Sequence, residues 1–137
     1  MLQKWKALVG SNKGKTSGHL RGYMENGEQF LDSKTVDYLR AESHELIIGS
    51  QQLDDNFDQN WVAFSLPNDL PENQPNHVVL LHHNSLEWAF HIKDTYYKVD
   101  EGSVTFSYKP GKGGVFGKFD FTSGATKVRG DFDIWNK

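Results

Sequence analysis

The sequence predicts an all-β, mainly antiparallel protein: a β-sandwich or partly open barrel of about nine or ten strands, with one short N-terminal helix. Three observations carry that expectation. Most apolar stretches alternate with polar residues at period two, the repeat of a half-buried strand. Aromatic residues make up 13% of the chain, and 13 residues are glycine, as expected of short strands joined by tight turns. Turn signals recur at roughly the 8–12-residue spacing of sandwiches and barrels.

The helix rests on Leu2, Trp5, Leu8 and Val9, whose spacing is helical and stops before Gly10. Beyond "SNKGKTSG", the stretch from Leu20 to Glu25 leads into Asn26-Gly27 and then "EQFLD". Asn-Gly between two strand-like runs predicts a hairpin with a type I′ turn, which needs positive φ at both central residues. "TVDYLRAE" and "HELIIGSQQ" read as the next pair, with Leu46 and Ile48 expected on the inner face. In "WVAFSL" at 61–66, Val62, Phe64 and Leu66 fall on one side and Trp61, Ala63 and Ser65 on the other. "PNDLPENQPN" at 67–76 holds three of the four prolines and is expected to be a surface loop. "HVVLL" (77–81), "EWAFHI" (87–92) and "TYYKV" (95–99) follow as strands, broken at "HHNS" and "KD". "SVTFSY" at 103–108 turns Val104, Phe106 and Tyr108 to one face, and "KPGKGG" reverses the chain.

The last two strands carry a repeated phrase, "GKFDF" at 117–121 and "GDFDI" at 130–134. A turn centred on Gly124 and Ala125 sets Gly117 opposite Phe132 and Phe119 opposite Gly130. Each ring is then expected to cover the bare main chain of the glycine facing it. Phe121 faces Val128 and Val115 faces Ile134, so one face is apolar. Lys118, Asp120, Arg129, Asp131 and Asp133 take the other, where mixed charge is cheap in water and discourages edge pairing. A slip by one residue would exchange the two faces, so the register is strongly specified.

At 137 residues the chain has the size of one domain, expected to span 1–137 and to hold a core without staples. Fifteen Lys and Arg against 18 Asp and Glu give a net charge of −3, too small and too mixed for a nucleic-acid partner. With no cysteine, disulfides, Cys-ligated zinc, iron–sulfur clusters and thiol nucleophiles are excluded. "MLQKWKALVGSNKGK" lacks the apolar run of a signal peptide, and no stretch reaches the roughly 18 apolar residues of a membrane span. The chain as written is therefore expected to be soluble and cytoplasmic. A protein trimmed of a leader would be exported and would read the same.

No cofactor and no metal site is expected. His77, His82, His83 and His91 lie close in sequence, but adjacent histidines on a strand point opposite ways and "HHNSLE" reads as a turn; surface histidines are the favoured interpretation over a metal or proton-transfer site. "DDNFD" at 54–58 starts like a calcium loop yet lacks its glycine and its closing glutamate. "KPGKGGVFGKF" matches neither phosphate-loop spacing nor dinucleotide spacing. "RGD" at 129–131 falls on an expected strand rather than at a loop tip. No Ser or Thr sits in a strained elbow with a base and an acid.

Aromatic residues remain. Trp61 and Trp135 lie opposite their apolar neighbours; filling the core or covering an edge is the favoured interpretation of such aromatics, while rings on a sheet face or barrel mouth commonly contact a sugar, a lipid or a protein. Trp61, Trp88, His91, Tyr96 and Tyr97 are thus the candidate ligand-binding residues.

The order of "LRGYMENGEQF", "LIIGS", "WVAFSLPNDL", "YYKVDEGSVTFSY", "GVFGKFDF" and "VRGDFDIW" resembles a family of small β-rich bacterial domains, many of them expected to be exported lipoproteins, with no assigned activity. The resemblance covers about residues 19–135 and rests on hairpin packing features. This chain departs from it by lacking the lipidated cysteine and by its proline-rich 67–76 loop. The resemblance implies a β-rich fold and carries over no functional residue. The expected function is a non-catalytic binding or interaction module for a small apolar molecule, a glycan or a protein. The alternative is a hydrolytic or metal-dependent enzyme built on 77–91, which requires three of His77, His82, His83, His91, Glu87 and Asp94 to converge.

Overall fold

The computed structural model describes residues 16–40, 44–50, 60–67, 70–83 and 85–136. The helix expected over 2–9 and the acidic stretch 54–58 lie outside the described residues. Among the described residues there are eleven strands: β1 (Thr16–Met24), β2 (Gln29–Ser33), β3 (Thr35–Arg40), β4 (His44–Ser50), β5 (Trp61–Pro67), β6 (Asn76–Val79), β7 (Trp88–Ile92), β8 (Thr95–Lys98), β9 (Glu101–Tyr108), β10 (Gly114–Ser123) and β11 (Thr126–Asn136). They form a six-stranded sheet, β2-β1-β11-β10-β9-β6, and a five-stranded sheet, β3-β4-β5-β7-β8. Every neighbouring pair is antiparallel. The protein is an all-β sandwich.

The core lies between the sheets, and the closing hairpin supplies much of it. β10 and β11 pair in the register read from the sequence, with Gly117 opposite Phe132, Phe119 opposite Gly130, Phe121 opposite Val128 and Val115 opposite Ile134. Gly124 opens the turn at φ 58°, with no positive φ at Ala125, the pattern of a two-residue turn that takes glycine first. Inward from this hairpin, Phe119, Phe121 and Phe132 surround Phe64 of β5 with ring centroids at 5.9, 5.7 and 5.4 Å. Trp88 of β7 stands 5.0 Å from Phe121. Each such buried ring contributes about 1.5–3 kcal/mol of hydrophobic stabilisation.

The glycine shelter differs from expectation in one half. A Cβ on Gly130 would lie 2.4 Å from Phe119 Cζ, so that ring does cover it. The atoms nearest a Cβ on Gly117 belong instead to β9, with Thr105 O at 2.1 Å and Phe106 Cα at 2.7 Å. Phe132 leans onto Phe64 instead. The second sheltered glycine is Gly22 of β1, paired with Gly130, where Phe30 Cζ would be 2.7 Å from a Cβ.

Three local expectations are corrected. The Asn26-Gly27 hairpin exists, but only Gly27 has positive φ, at 90°. Met24 and Glu28 close a loop of Glu25, Asn26 and Gly27, with Glu28 N–H donating to Asn26 Oδ1 at 2.9 Å. The two-residue turn with positive φ throughout is Lys93-Asp94, at 51° and 69°, where Asn60 Oδ1 accepts the Lys93 N–H at 2.9 Å. The strand begun at His77 ends at Val79, and Leu80–His82 is a 3₁₀ turn.

The third correction concerns β4. Leu46 and Ile48 belong to an apolar cluster with Trp61 and Ala63 on the face turned away from the six-stranded sheet, while Ile47 joins the inter-sheet core. Glu45 therefore points inward with Ile47, and it is fully buried. Its carboxylate is held from both sheets: Tyr38 of β3 donates to Oε1, and Tyr108 of β9 donates to Oε2 at 2.5 Å. Charge-assisted bonds to both oxygens make a buried carboxylate tolerable and lock the two sheets together.

Burial first, and then the Glu45 carboxylate it bonds, raise the Tyr38 phenol far above its ordinary value of 10.0. The unfolded chain thus loses this proton near pH 10 while the fold keeps it. Stability is fully present below pH 10 and falls above it, by up to about 1.4 kcal/mol per pH unit from this group. Urea denaturation at rising alkaline pH is expected to show a shallower decline in Tyr38→Phe than in the parent.

Candidate functional site

The aromatic residues singled out from the sequence divide between the two faces of the five-stranded sheet. Trp88 lies in the inter-sheet core, 1% exposed, and its Nε1–H donates to Ser65 O at 2.7 Å. Tyr97 stacks on Phe90, centroids 4.8 Å apart, and packs on the same core. On the opposite face Trp61, His91 and Tyr96 come together: Trp61 stacks on His91 at 5.7 Å and meets Tyr96 at 6.0 Å. Tyr96 is partly exposed, whereas Trp61 is fully buried, not open as its strand parity suggested. The Tyr96 phenol is raised by burial and, secondarily, by Glu87.

The histidines do not converge. His77 on β6 bonds the Thr105 hydroxyl at 2.7 Å, His82 ends the 3₁₀ turn, and His91 sits against Trp61 in the other sheet. Among the described residues no group of three His, Asp or Glu side chains could hold a metal ion. Nor, among them, is any helix long and apolar enough to cross a membrane.

A groove of about 930 Å³ lies instead on the outer face of the six-stranded sheet. Its walls follow from register. Ser107 and Phe116 form one row across β9 and β10; Thr105, Lys118 and Asp131 form the next across β9, β10 and β11; Ser103, Asp120 and Arg129 form the third, which continues to Tyr23 on β1. Directly opposed side chains on such a face have Cβ atoms about 4.5–5.5 Å apart, so the second and third rows are continuous polar strips, while the first sets the Phe116 ring beside Ser107. Gly117 and Gly130 add bare main chain to the floor. A Cβ at these two positions would fall 2.1 Å from Thr105 O and 2.0 Å from Arg21 O. The missing side chains let neighbouring strands approach, and glycines placed this way bend a sheet into a trough.

Phe116 is 47% exposed inside this otherwise hydrophilic surface. Trp135, on the same strand face, is 49% exposed and covers the Lys109 ammonium, 3.8 Å from its ring centre. That ammonium also pairs with Asp133. Asp131 approaches His19 at 3.8 Å, and Asp32 approaches Arg21 at 3.7 Å. Lys118, Asp120 and Arg129 close no ion pair among the described residues, although opposite charges face each other across the strands.

The sequence pattern places the charges on this face, where they read as a solvated surface that discourages edge pairing, and gives no role to Phe116. The signal was present: parity with Lys118 and Asp120 puts one large ring on a charged surface, where burial gives it no reason to be. Fold and groove together define a β-sandwich with a polar, aromatic-marked trough on one sheet. In comparisons with protein-family models, curated proteins and solved structures, no match to this chain was found.

Proposed function

We propose that the protein is a non-catalytic binding module and that its ligand lies along the outer face of the six-stranded sheet. The observation that carries this reading is the groove itself: a half-exposed Phe116 set among Lys118, Asp120 and Arg129, whose charges close no ion pair among the described residues. Binding sites combine apolar contact area with a few polar groups that fix orientation, and both are offered here on rigid strands. The face is assembled from β9, β10 and β11, each paired on both sides, so a ligand meets side chains rather than free main-chain groups. The dispersal of His77, His82 and His91 supports the non-catalytic reading over the enzymatic one.

Small organic probes locate such a site without knowledge of the ligand. Backbone amide shifts recorded with isopropanol and with phenol are expected to change most over 103–107, 116–120 and 129–131. Probes that gather elsewhere, or spread evenly over the surface, would remove the basis for this reading.

A further inference from the structure

We infer that the groove takes an uncharged oligosaccharide; this rests on the binding face proposed above and adds the class of ligand. Cations and carboxylates alternate across the trough, with Lys118 opposite Asp131 and Asp120 opposite Arg129. A polyanion would meet the carboxylates, and a polycation would meet Lys118 and Arg129, so neither gains across the whole surface. A sugar hydroxyl both donates and accepts. Neighbouring hydroxyls on one ring can give a proton to a carboxylate and take one from the facing ammonium or guanidinium, which suits opposed charges that have not closed on each other.

The ring of Phe116 supplies the other half. Sugars present an apolar C–H face, and an exposed aromatic ring with hydrophilic neighbours offers a flat apolar surface to it while the hydroxyls at the sugar's rim reach the polar rows. A peptide added as a strand is disfavoured because the main chains of β9, β10 and β11 are already paired on both sides. A lipid surface is disfavoured by the charged residues around Phe116. Along β10 the distance from Phe116 to Asp120 is about 13 Å at strand rise, room for more than one sugar ring in sequence.

The test is an amide-shift titration with cellohexaose, xylohexaose, mannohexaose and chitohexaose, with a heparin-derived hexasaccharide as the charged comparison. At least one neutral sugar is expected to shift amides over 103–107, 116–120 and 129–131. Phe116→Ala should weaken that binding about tenfold and Asp120→Asn severalfold, with melting temperatures unchanged because both side chains are exposed. Shifts with the heparin hexasaccharide alone would overturn the uncharged class and leave the binding face standing. Silence with every sugar, while isopropanol and phenol still gather in the groove, would also overturn the ligand class but not the site. Silence with sugars and organic probes together would overturn both.

Discussion

Replacing Glu45 with alanine is expected to lower the unfolding free energy by about 4 kcal/mol, a large fraction of a small domain's stability. The loss has two parts. Tyr38 and Tyr108, both buried, would keep their hydroxyls but lose the acceptor that each now uses, and a buried donor stripped of its partner costs about 1–3 kcal/mol. The vacated volume adds a cavity term. Glu45→Gln separates charge from hydrogen bonding, since its amide can accept from one phenol and donate to the oxygen of the other; it is expected to cost less than half as much. Urea denaturation measures both, the midpoint falling with little change in slope. A loss below about 1 kcal/mol in the alanine variant would mean that the carboxylate does not tie the sheets.

Gly130→Ala is expected to cost about 3 kcal/mol by overpacking. Its Cβ would stand 2.0 Å from Arg21 O and 2.4 Å from Phe119 Cζ. The first of these is main chain of β1, so relief requires β1 and β11 to separate. Gly124→Ala provides the contrast: nothing lies within 4 Å of a Cβ there, and only the positive φ is penalised, at about 1 kcal/mol. Equal losses at the two positions would show that close main-chain approach at Gly130 contributes nothing. Because Gly130 also lines the groove, Gly130→Ala should also weaken whatever binding the groove supports.

The closing hairpin was legible residue by residue, because a two-residue turn and alternating apolar positions leave one register that buries Phe119, Phe121 and Phe132 together. The five-stranded sheet was less legible. All residues of β7, and those of β5 up to Leu66, are buried, so alternation could separate the two sides of Trp61–Leu66 without saying which was open. Trp61 looked available for that reason. β4 failed differently: "ELII" offers apolar residues to both faces, and the inward one carries a glutamate whose carboxylate is held by Tyr38 on the adjacent strand and by Tyr108, remote in sequence. The groove was half legible. Its charges and Phe116 follow from strand parity, but Gly117 and Gly130 meet the main chains of β9 and β1 in the lining, contacts that no local pattern announces.

One hairpin thus has two separable faces, an inner one that holds the fold and an outer one free to bind. Thermal melting of Phe116→Ala beside Phe119→Ala tests it most directly, since the two rings lie three residues apart on β10, one 47% exposed and the other 3%. Phe116→Ala is expected to stay within about 0.5 kcal/mol of the parent, and Phe119→Ala to lose about 3–5 kcal/mol. Comparable losses in both, or a larger one for Phe116→Ala, would contradict the separation and with it the reading of the outer face as a binding surface.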